Sequence, residues 1–385
     1  MLSIRRFAAT LLGLAVGVGA AAQPTFDDVV YATVGTGQLR MDVYLPPNQT
    51  GPAPCFVFVH GGGWSGGTYN QTPPALNQLL QRGFVVASVQ YRLTSQEGQF
   101  GPGVPVTFPA QIHDVKGAIR HLRAHAQEYG IDGARIGAMG TSAGGHLVAL
   151  LGTSGGVADA EGATGGNLMY SSRVQSVVDF FGPTDLLTMN LDVTTPPGSM
   201  IDHDAPTSPE SRLLGWDEPG QGVGDIRANL ENPNAPYPEL AALAALCSPN
   251  AHVSPNDPPM FIGHGLDDTS VPSFQSVRLS NALASVGVEH TLTLVEGAGH
   301  GFLGLQTNNA MLAFLEETLS ACPGDINGDR RVTFADLNVV LAQFGQVGQR
   351  GASRPGDTTG DGVVDFADLN AVLAGFGADC RWTAP

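Results

Sequence analysis

The sequence predicts an open, mostly parallel α/β sheet with helices on both faces, followed by a small helical module. Between residues 29 and 319, short apolar runs alternate with helical periodicity, which is typical of a doubly wound sheet. One of these runs leads into Gly-Thr-Ser-Ala-Gly at residues 140–144 and then into an apolar helical pattern, which predicts a strand, a tight turn and a helix. The separate module is indicated by an internal duplication after residue 320.

The predicted strands are short apolar runs, as strands buried on both faces of a sheet are. They lie at residues 39–45, 55–59, 84–89, 136–139, 177–181, 260–263 and 291–295. Residues 109–128 predict a long helix that opens with proline in its first turn. Residues 189–238 are rich in Pro, Gly, Asp and Asn, and they predict either a lid or substrate-binding insertion, or a disordered excursion.

Length and charge limit the possible functions. The chain has 385 residues, which allows two domains or one large domain with an appendage. Its net charge of −17 argues against binding to nucleic acid or to an anionic membrane surface.

The first residues carry a targeting pattern. Arg5 and Arg6 precede an apolar run at residues 7–18, and three alanines at residues 20–22 offer a cleavage site. This pattern predicts a signal peptide over residues 1–22; a membrane anchor is the alternative, but the run is short for a membrane span. We therefore expect a secreted or cell-surface protein with no membrane span after cleavage.

Four cysteines are compatible with an oxidising environment. Cys322 and Cys380 bracket the duplicated module, and we expect them to form a disulfide. Cys55 begins an apolar strand pattern and Cys247 follows in what we interpret as a loop, so we expect two separate thiols.

A serine nucleophile is predicted at Ser142. The pattern G-x-S-x-G occurs three times, around Ser65, Ser142 and Ser154, but only Ser142 has a strand before it and a helix after it. That context is the nucleophile elbow, in which small neighbours let a serine occupy a strained turn. We interpret Ser65 as a loop residue and Ser154 as part of the glycine-rich end of the elbow helix.

Acyl transfer by serine needs a base and an orienting carboxylate. His300 follows the last predicted strand in a loop of small residues, where the chain order Ser–acid–His requires the base. The acid is Asp267 or Asp268, because both follow the strand at residues 260–263 and spacing does not separate them. The remaining histidines are assigned structural roles: His60 and His264 are expected to hold loops by hydrogen bonds, His146 points from the elbow helix, and His113, His121 and His125 are expected to be largely solvated.

A glycine-rich segment, His60-Gly-Gly-Gly-Trp64, directly follows a predicted strand. Its backbone N–H groups are suited to binding the oxyanion of a tetrahedral intermediate. We expect the donors to be Gly62, Gly63 and Ala143, the residue after the nucleophile. A phosphate-binding loop is the alternative, but the segment lacks the Gly-Lys-Ser/Thr continuation of a nucleotide site.

Together these residues resemble the α/β-hydrolase esterases related to hormone-sensitive lipase, and most closely bacterial enzymes typified by bifunctional acetylxylan and feruloyl esterases. The resemblance runs from about residue 42 to residue 304. It is carried by Met41-Asp-Val-Tyr-Leu-Pro46, His60-Gly-Gly-Gly-Trp64, Tyr91-Arg-Leu93, Pro109-Ala-Gln-Ile-His-Asp114, Gly140-Thr-Ser-Ala-Gly-Gly-His-Leu147, Gly182-Pro-Thr-Asp185 and Gly297-Ala-Gly-His-Gly301. In such enzymes the acid follows the pattern H-G-x-x-D-x-x-V-P, which selects Asp268.

The resemblance implies an α/β-hydrolase fold and a secreted serine carboxylesterase that removes acetyl or feruloyl groups from plant polysaccharide, with no cofactor for catalysis. One alternative is a general esterase or lipase for small esters. Another is a calcium-dependent scaffold-binding protein whose hydrolase domain is idle. Peptidase activity is a third, although no gating domain accompanies the predicted hydrolase.

The duplication relates residues 325–345 to residues 357–377 with an offset of 32, and each copy joins a polar loop to an apolar helix. It resembles a type I dockerin, which implies Ca²⁺ bound in two twelve-position loops and a cohesin-like partner. In the first copy the implied ligands are Asp325, Asn327, Asp329, Thr333 and Asp336, with the carbonyl of Arg331. In the second they are Asp357, Thr359, Asp361, Asp365 and Asp368, with the carbonyl of Val363.

Two features depart from the dockerin pattern. Arg330 occupies the sixth loop position, where the second copy has Gly362, and should weaken the first site. Phe334-Ala335 and Phe366-Ala367 replace a polar pair that recognises cohesin, so a calcium-stabilised tail without a partner stays an alternative. The resulting organisation is a signal peptide over residues 1–22, an esterase domain over 23–320 and the dockerin-like module over 321–382.

Overall fold

Eight strands form one sheet in the computed structural model. It describes residues 22–72, 75–193, 201–319, 324–327, 331–347, 356–358 and 363–378. The predicted signal peptide lies outside the described residues except for Ala22. Also outside them are the expected disulfide partners Cys322 and Cys380 and the implied calcium ligands Asp329, Thr359 and Asp361.

The strands alternate with helices along most of the chain. They are β1 (Phe26–Val34), β2 (Gly37–Tyr44), β3 (Ala53–Val59), β4 (Val85–Val89), β5 (Ile131–Thr141), β6 (Ser176–Phe180), β7 (Met260–Gly265) and β8 (His290–Val295). Their order in the sheet is β1-β2-β4-β3-β5-β6-β7-β8. The β1–β2 and β2–β4 pairs are antiparallel and all the others are parallel. The seven predicted strands are confirmed, whereas β1 was missed.

The helices of the sheet domain cover both of its faces. They are α1 (Ala75–Gln81), α2 (Ala110–Ala124), α3 (Ala143–Thr153), α4 (Ala158–Glu161), α5 (Pro209–Leu214), α6 (Val223–Ala228), α7 (Tyr237–Cys247), α8 (Phe274–Val286) and α9 (Gly304–Thr318). None of the helices in the described part of the chain is long and apolar enough to cross a membrane.

The central strand β3 shows how the two faces divide. Cys55, Val57 and Val59 belong to a core shared with α2, α3 and α8, whereas Phe56 and Phe58 pack with α1 and α9. Successive side chains of a strand point to opposite faces, so this apolar run serves two cores at once. The sequence pattern of short runs without polar alternation is explained by burial on both sides.

The segment at residues 189–238 is folded where the structure describes it. It contains α5, α6 and the beginning of α7, and Leu213, Leu214, Val223 and Ile226 are buried in the main core. A disordered excursion is therefore wrong for the described residues, because these side chains are anchored in the sheet domain. Helices of six residues are too short to show a helical periodicity in the sequence.

The duplicated module contains two helices, α10 (Phe334–Gln343) and α11 (Phe366–Gly375). Val332, Val340, Val364 and Val372, two from each copy, form its small buried core. The copies hold each other through backbone bonds, from Gly345 N–H to the Val364 carbonyl and from Gly377 N–H to the Val332 carbonyl, both 2.8 Å. The predicted pairing of a polar loop with an apolar helix in each copy is confirmed for the described residues.

Candidate active site

Ser142 occupies the turn between β5 and α3 with φ 55° and ψ −123°. This conformation is strained for a residue with a side chain and costs on the order of 1–3 kcal/mol. A Cβ on Gly140 would lie 2.0 Å from the Gly144 carbonyl oxygen, and one on Gly144 would lie 2.1 Å from the Val59 carbonyl oxygen. The two glycines of the motif are thus required by close backbone packing.

Ser142 and His300 are brought together by the parallel sheet. Ser142 follows β5, His300 follows β8, and the distance between Ser142 Oγ and His300 Nε2 is 2.9 Å. The carboxyl ends of parallel strands share one edge of the sheet, which explains why loops 158 residues apart in the chain meet there. The ring of Phe181 lies beside the imidazole, with centroids 4.7 Å apart.

Asp268 completes a chain of hydrogen bonds to His300. Its Oδ2 accepts from His300 Nδ1 at 2.6 Å, and its Oδ1 accepts from the N–H groups of Ser270 and Val271 at 2.7 and 2.9 Å. Asp268 is 3% exposed, whereas the neighbouring Asp267 is exposed. Of the two candidates that spacing left open, Asp268 is the one that reaches the histidine.

The surroundings of Asp268 keep it ionised. Burial by itself would raise the pKa of this carboxyl, but hydrogen bonds from His264, His300 and Val271 outweigh it and hold the pKa well below its usual range. His264 Nε2 lies 3.2 Å from Asp268 Oδ2 and 3.0 Å from the Val271 carbonyl oxygen. Since a carbonyl only accepts, His264 Nε2 carries the proton.

His264 was assigned only a loop-holding role from the sequence, and its contact with Asp268 was missed. The loop-holding role itself is confirmed by its bonds to the Val271 carbonyl and, at 2.7 Å, to Ser276 Oγ. His264 lies four residues before Asp268, within the H-G-x-x-D pattern, which was the signal that could have found the contact.

The glycine-rich loop lies beside Ser142. A Cβ on Gly61 would be 3.2 Å from Ser142 Cβ, so the backbones of the two loops are in contact. Gly62 and Gly63 have φ of 117° and 58°, a region that favours glycine. Neither donates a backbone hydrogen bond within the residues that the structure describes. Ala143 is the first residue of α3, where N–H groups have no intrahelical acceptor.

A buried imidazole connects this loop to the elbow helix. Trp64 Nε1 donates to His146 Nδ1 at 3.2 Å, and His146 Nε2 lies 2.6 Å from the Cys247 carbonyl oxygen. An indole N–H only donates and a carbonyl only accepts, so His146 must be neutral with its proton on Nε2. Burial lowers the pKa of His146 to about 4, which keeps it neutral. These two hydrogen bonds therefore hold the Trp64 side chain in place. Trp64 directly follows Gly63, whose N–H is one of the expected oxyanion donors.

Three predictions about other side chains are settled by burial. Cys55 and Cys247 are buried free thiols, as expected, but Cys247 ends α7 and does not lie in a loop. The expectation that the α2 histidines are solvated is wrong. His121 is 8% exposed, stacks on His125 at 4.0 Å and lies 3.1 Å from Tyr129 Oη, because the chain after α2 folds back over this helix end.

His60 and Ser154 also have the structural roles predicted for them. His60 Nδ1 lies 2.8 Å from the Gly61 carbonyl oxygen, so the ring holds the beginning of the glycine-rich loop. Ser154 directly follows the last residue of α3, and its N–H donates to the Leu150 carbonyl at 2.8 Å.

In the duplicated module, the last loop position of each copy is a buried carboxylate. Asp336 Oδ1 accepts from the N–H groups of Ile326 and Asn327 at 2.8 and 3.1 Å. Asp368 Oδ2 accepts from the Asp365 N–H at 2.8 Å. Asp336 Oδ2 also accepts from the Thr333 N–H at 2.8 Å. Carboxylate oxygens are ligands that Ca²⁺ prefers. The other implied ligands within the described residues are Asp325, Asn327, Arg331, Thr333, Asp357, Val363 and Asp365.

This chain is similar to proteins of a known family. The BD-FAE family model matches residues 41–283. Among curated relatives, the probable isoprenylcysteine alpha-carbonyl methylesterase ICMEL1 of Arabidopsis thaliana is 29% identical over 269 residues, covering 69% of this chain and 49% of that protein. The probable carboxylic ester hydrolase LipM of Mycobacterium tuberculosis is 27% identical, covering 67% of this chain and 52% of that protein. The chain thus spans about half the length of these two relatives.

This chain is also similar to several solved structures. A truncated carbohydrate esterase from gut microbiota is similar with TM-score 0.62 and 31% identity, covering 76% of this chain and 95% of that one. A bifunctional GH43-CE protein of Bacteroides eggerthii has TM-score 0.61 and 32% identity, covering 76% of this chain and 35% of that one. The butyrate-bound esterase Est2 of Thermogutta terrifontis has TM-score 0.57 and 28% identity, with coverage of 76% and 94%.

Proposed function

The chain belongs to the BD-FAE family of α/β-hydrolase esterases, and from this premise we propose that it hydrolyses carboxylic esters with Ser142 as nucleophile, His300 as base and Asp268 as orienting acid. The observation that carries the proposal is the unbroken hydrogen-bonded chain from Ser142 Oγ through His300 to Asp268, with links of 2.9 and 2.6 Å. Named relatives are carboxylic ester hydrolases and the structural neighbours are esterases, which supports the reaction class.

In the first half-reaction, Ser142 Oγ attacks the carbonyl carbon of the ester while His300 Nε2 takes the hydroxyl proton. The C–O bond to the alcohol breaks, and the imidazolium returns the proton to the leaving oxygen. Water then attacks the acyl-enzyme with His300 again as base, which releases the acid and restores Ser142. Asp268 stays ionised and stabilises the imidazolium in both steps.

The oxyanion of each tetrahedral intermediate is assigned to the N–H groups of Gly62, Gly63 and Ala143. The glycine backbone conformation and the position of Ala143 at the start of α3 support this role. Donors that are already oriented need no reorganisation during the reaction, so each contributes several kcal/mol to transition-state stabilisation.

Replacement of the nucleophile tests the proposal. Ser142→Ala should abolish turnover of p-nitrophenyl acetate while the circular dichroism spectrum and the melting temperature stay close to the wild type. Ser65→Ala and Ser154→Ala, at the two other G-x-S-x-G patterns, should keep activity. Activity that survives in Ser142→Ala would overturn the assignment.

The substrate class that we propose is the acetyl or feruloyl ester of a plant polysaccharide. The carbohydrate esterase from gut microbiota and the GH43-CE protein, each about one-third identical to this chain, support it. A small-ester esterase is the second candidate, favoured by the likeness to butyrate-bound Est2. Serine-dependent release of acetate or ferulate from esterified xylan would establish the first, and cleavage of short p-nitrophenyl esters alone would establish the second.

For the duplicated module we propose structural Ca²⁺ binding and a cohesin-like partner. The buried carboxylates at Asp336 and Asp368 and the oxygen-rich donor sets fit a hard cation. Calorimetric titration with Ca²⁺ should show two sites, of which Asp368→Ala removes the tighter one. A calcium-dependent pull-down with an immobilised cohesin tests the partner, and no capture would leave the module a calcium-stabilised tail.

We further propose that the protein is exported after removal of residues 1–22, on the charge and hydropathy pattern of its first residues. Mass spectrometry of protein from the culture supernatant should find Gln23 as the mature N-terminus. Retention of residues 1–22 in a membrane fraction would indicate the anchor alternative.

A further inference from the structure

An open cleft of about 840 Å³ lies beside the proposed oxyanion loop. Its walls come from Ser65, from residues 94–95, 97–98 and 102–107, and from the insertion at Arg212, Asp217 and Glu218. We propose that this cleft is a subsite for the sugar chain of a neutral, hydroxyl-rich polysaccharide whose ester is cleaved at Ser142. The inference rests on the proposed function and adds to it the place where the polymer binds.

The cleft shares a wall with the glycine-rich loop, which contacts Ser142. Ser65, in its wall, follows Gly63 by two residues. A Cβ on Gly63 would lie 3.5 Å from Pro209 Cβ at the beginning of α5, and Arg212, three residues further along α5, lines the cleft. One wall of the cleft is therefore continuous with the loop that is assigned to the ester oxyanion.

The walls are held by buried side chains and backbone bonds. Arg92, in a buried ion pair with Asp114, donates to the Pro105 carbonyl at 2.9 Å. Buried Gln111 donates to the Val106 carbonyl at 2.6 Å. These contacts fix one wall to the core of the sheet domain.

Hydrogen bonds also join the chain at residues 94–108 to the glycine-rich loop and to the insertion. Ser95 Oγ donates to the Ser65 carbonyl at 2.6 Å, and the Thr94 N–H donates to the Trp64 carbonyl at 2.8 Å. The Phe108 N–H donates to the Leu213 carbonyl at 2.8 Å. Because the three segments are tied together, binding a ligand between them orders little additional chain, which favours affinity.

The chemistry of the lining suits sugar hydroxyls. Glu97, Asp217, Glu218 and Arg212 are exposed, and within the residues that the structure describes none of them forms an ion pair. Carboxylates accept hydrogen bonds from hydroxyl groups, and a guanidinium donates to hydroxyl oxygens. The lining can therefore bind both the O–H donor and the oxygen acceptor of a sugar hydroxyl. Three carboxylates against one cation disfavour a polyuronate, as does the net charge of −17.

Size and lining also indicate how the cleft binds. Ligand pockets typically measure about 300–1,000 Å³, so the cleft has room for more than a small acyl group. None of the described lining residues is aromatic. Recognition here would depend on hydrogen bonds and not on stacking, which makes it sensitive to the removal of single charges.

The test compares substrates that share an acetyl group and differ in chain length. We expect wild-type kcat/KM for acetylated xylohexaose to exceed that for acetylated xylobiose by about tenfold, the ratio that one charged hydrogen bond supplies. Glu97→Gln combined with Glu218→Gln should remove most of this preference by raising KM, with turnover of p-nitrophenyl acetate unchanged. Glu317→Gln, an exposed glutamate on α9, is the matched control and should keep the preference.

Two results would overturn the cleft assignment while the proposed function stands: equal use of the two oligosaccharides by the wild type, or an undiminished preference in the Glu97/Glu218 variant. No cleavage of either oligosaccharide, with p-nitrophenyl acetate still cleaved through Ser142, would instead overturn the proposed substrate class, and the cleft assignment would fall with it. Calorimetric titration of Ser142→Ala with unesterified xylohexaose gives a readout independent of catalysis. Binding that weakens in the Glu97/Glu218 background supports the subsite, and binding that does not weaken contradicts it.

Discussion

Asp179 and Asp268 lie at the carboxyl ends of the neighbouring strands β6 and β7, and both are buried. Their carboxyl groups differ in the number of hydrogen-bond donors around them. Asp268 accepts from His300, from two backbone N–H groups and from His264. Asp179 accepts from the Gly182 N–H at 2.9 Å through Oδ1, while its Oδ2 is buried with no hydrogen-bond partner among the residues that the structure describes.

The two pKa values move in opposite directions as a result. Burial raises the pKa of Asp179 to about 6, because one N–H donor and the nearby charge of His264 do not compensate for lost water. Around Asp268 the donors outweigh the same effect, and the pKa falls below its usual range. The difference shows that hydrogen-bond donors, and not burial alone, set the direction in which the pKa of each of these two buried aspartates moves.

Removal of the charge at Asp268 should have the largest effect. Asp268→Asn keeps the size of the side chain but no longer stabilises the imidazolium, so we expect kcat for p-nitrophenyl acetate to fall by about 10³- to 10⁴-fold with little change in KM. Steady-state kinetics measures both constants. Asp267→Asn, on the exposed neighbour, is the control and should retain activity; an equal loss there would contradict the assignment of the acid.

A smaller effect, on stability, is expected at Asp179. Between about pH 4 and pH 6 the folded protein keeps a proton on Asp179 that the unfolded chain has lost, so the free energy of unfolding falls as pH rises through this range. The shift from 3.8 to about 6 corresponds to at most roughly 3 kcal/mol.

Asp179→Asn removes the titrating group and should remove this contribution. Urea unfolding at pH 4.5 and at pH 7.5 measures it as the change in stability between the two conditions, in wild type and variant. The same pH dependence in both proteins would show that Asp179 is ionised throughout and that its orphan oxygen has a partner in solution.

The smallest effect is expected at His146, which is buried and has a hydrogen-bond partner on each ring nitrogen. In this it resembles Asp268, both of whose carboxylate oxygens have partners, and differs from Asp179. His146→Leu should lower kcat by about tenfold, because Trp64 loses its anchor and the Gly63 N–H is displaced from the oxyanion. His146→Gln offers one acceptor and one donor and should recover part of the loss. Thermal unfolding of both variants distinguishes a loss of positioning from misfolding. Equal kcat in His146→Leu and His146→Gln would refute the positioning role.

The elements of the sheet were predictable because their signals are local. An apolar run of four to seven residues bounded by turn residues, such as the one at β3, indicates a buried strand from its own neighbourhood. In the same way, G-x-S-x-G between a strand and a helix indicates Ser142 without reference to the rest of the chain. The insertion was harder, since α5 and α6 have six residues each and are stabilised by burial of Leu213 and Ile226 in a core built by other segments.

The amino-acid sequence by itself predicted Ser142, His300 and seven of the eight strands, because each of these signals depends on neighbours within about one element. Tertiary structure alone decided which charges those residues carry and what lies around them. The partners of Asp268, the orphan oxygen of Asp179, the neutral state of His146 and the walls of the cleft come from segments distant in the chain, with Trp64 and His146 separated by 82 positions. A hydrogen bond or a buried charge depends on distances of a few ångströms in space, and spacing along the sequence does not record them.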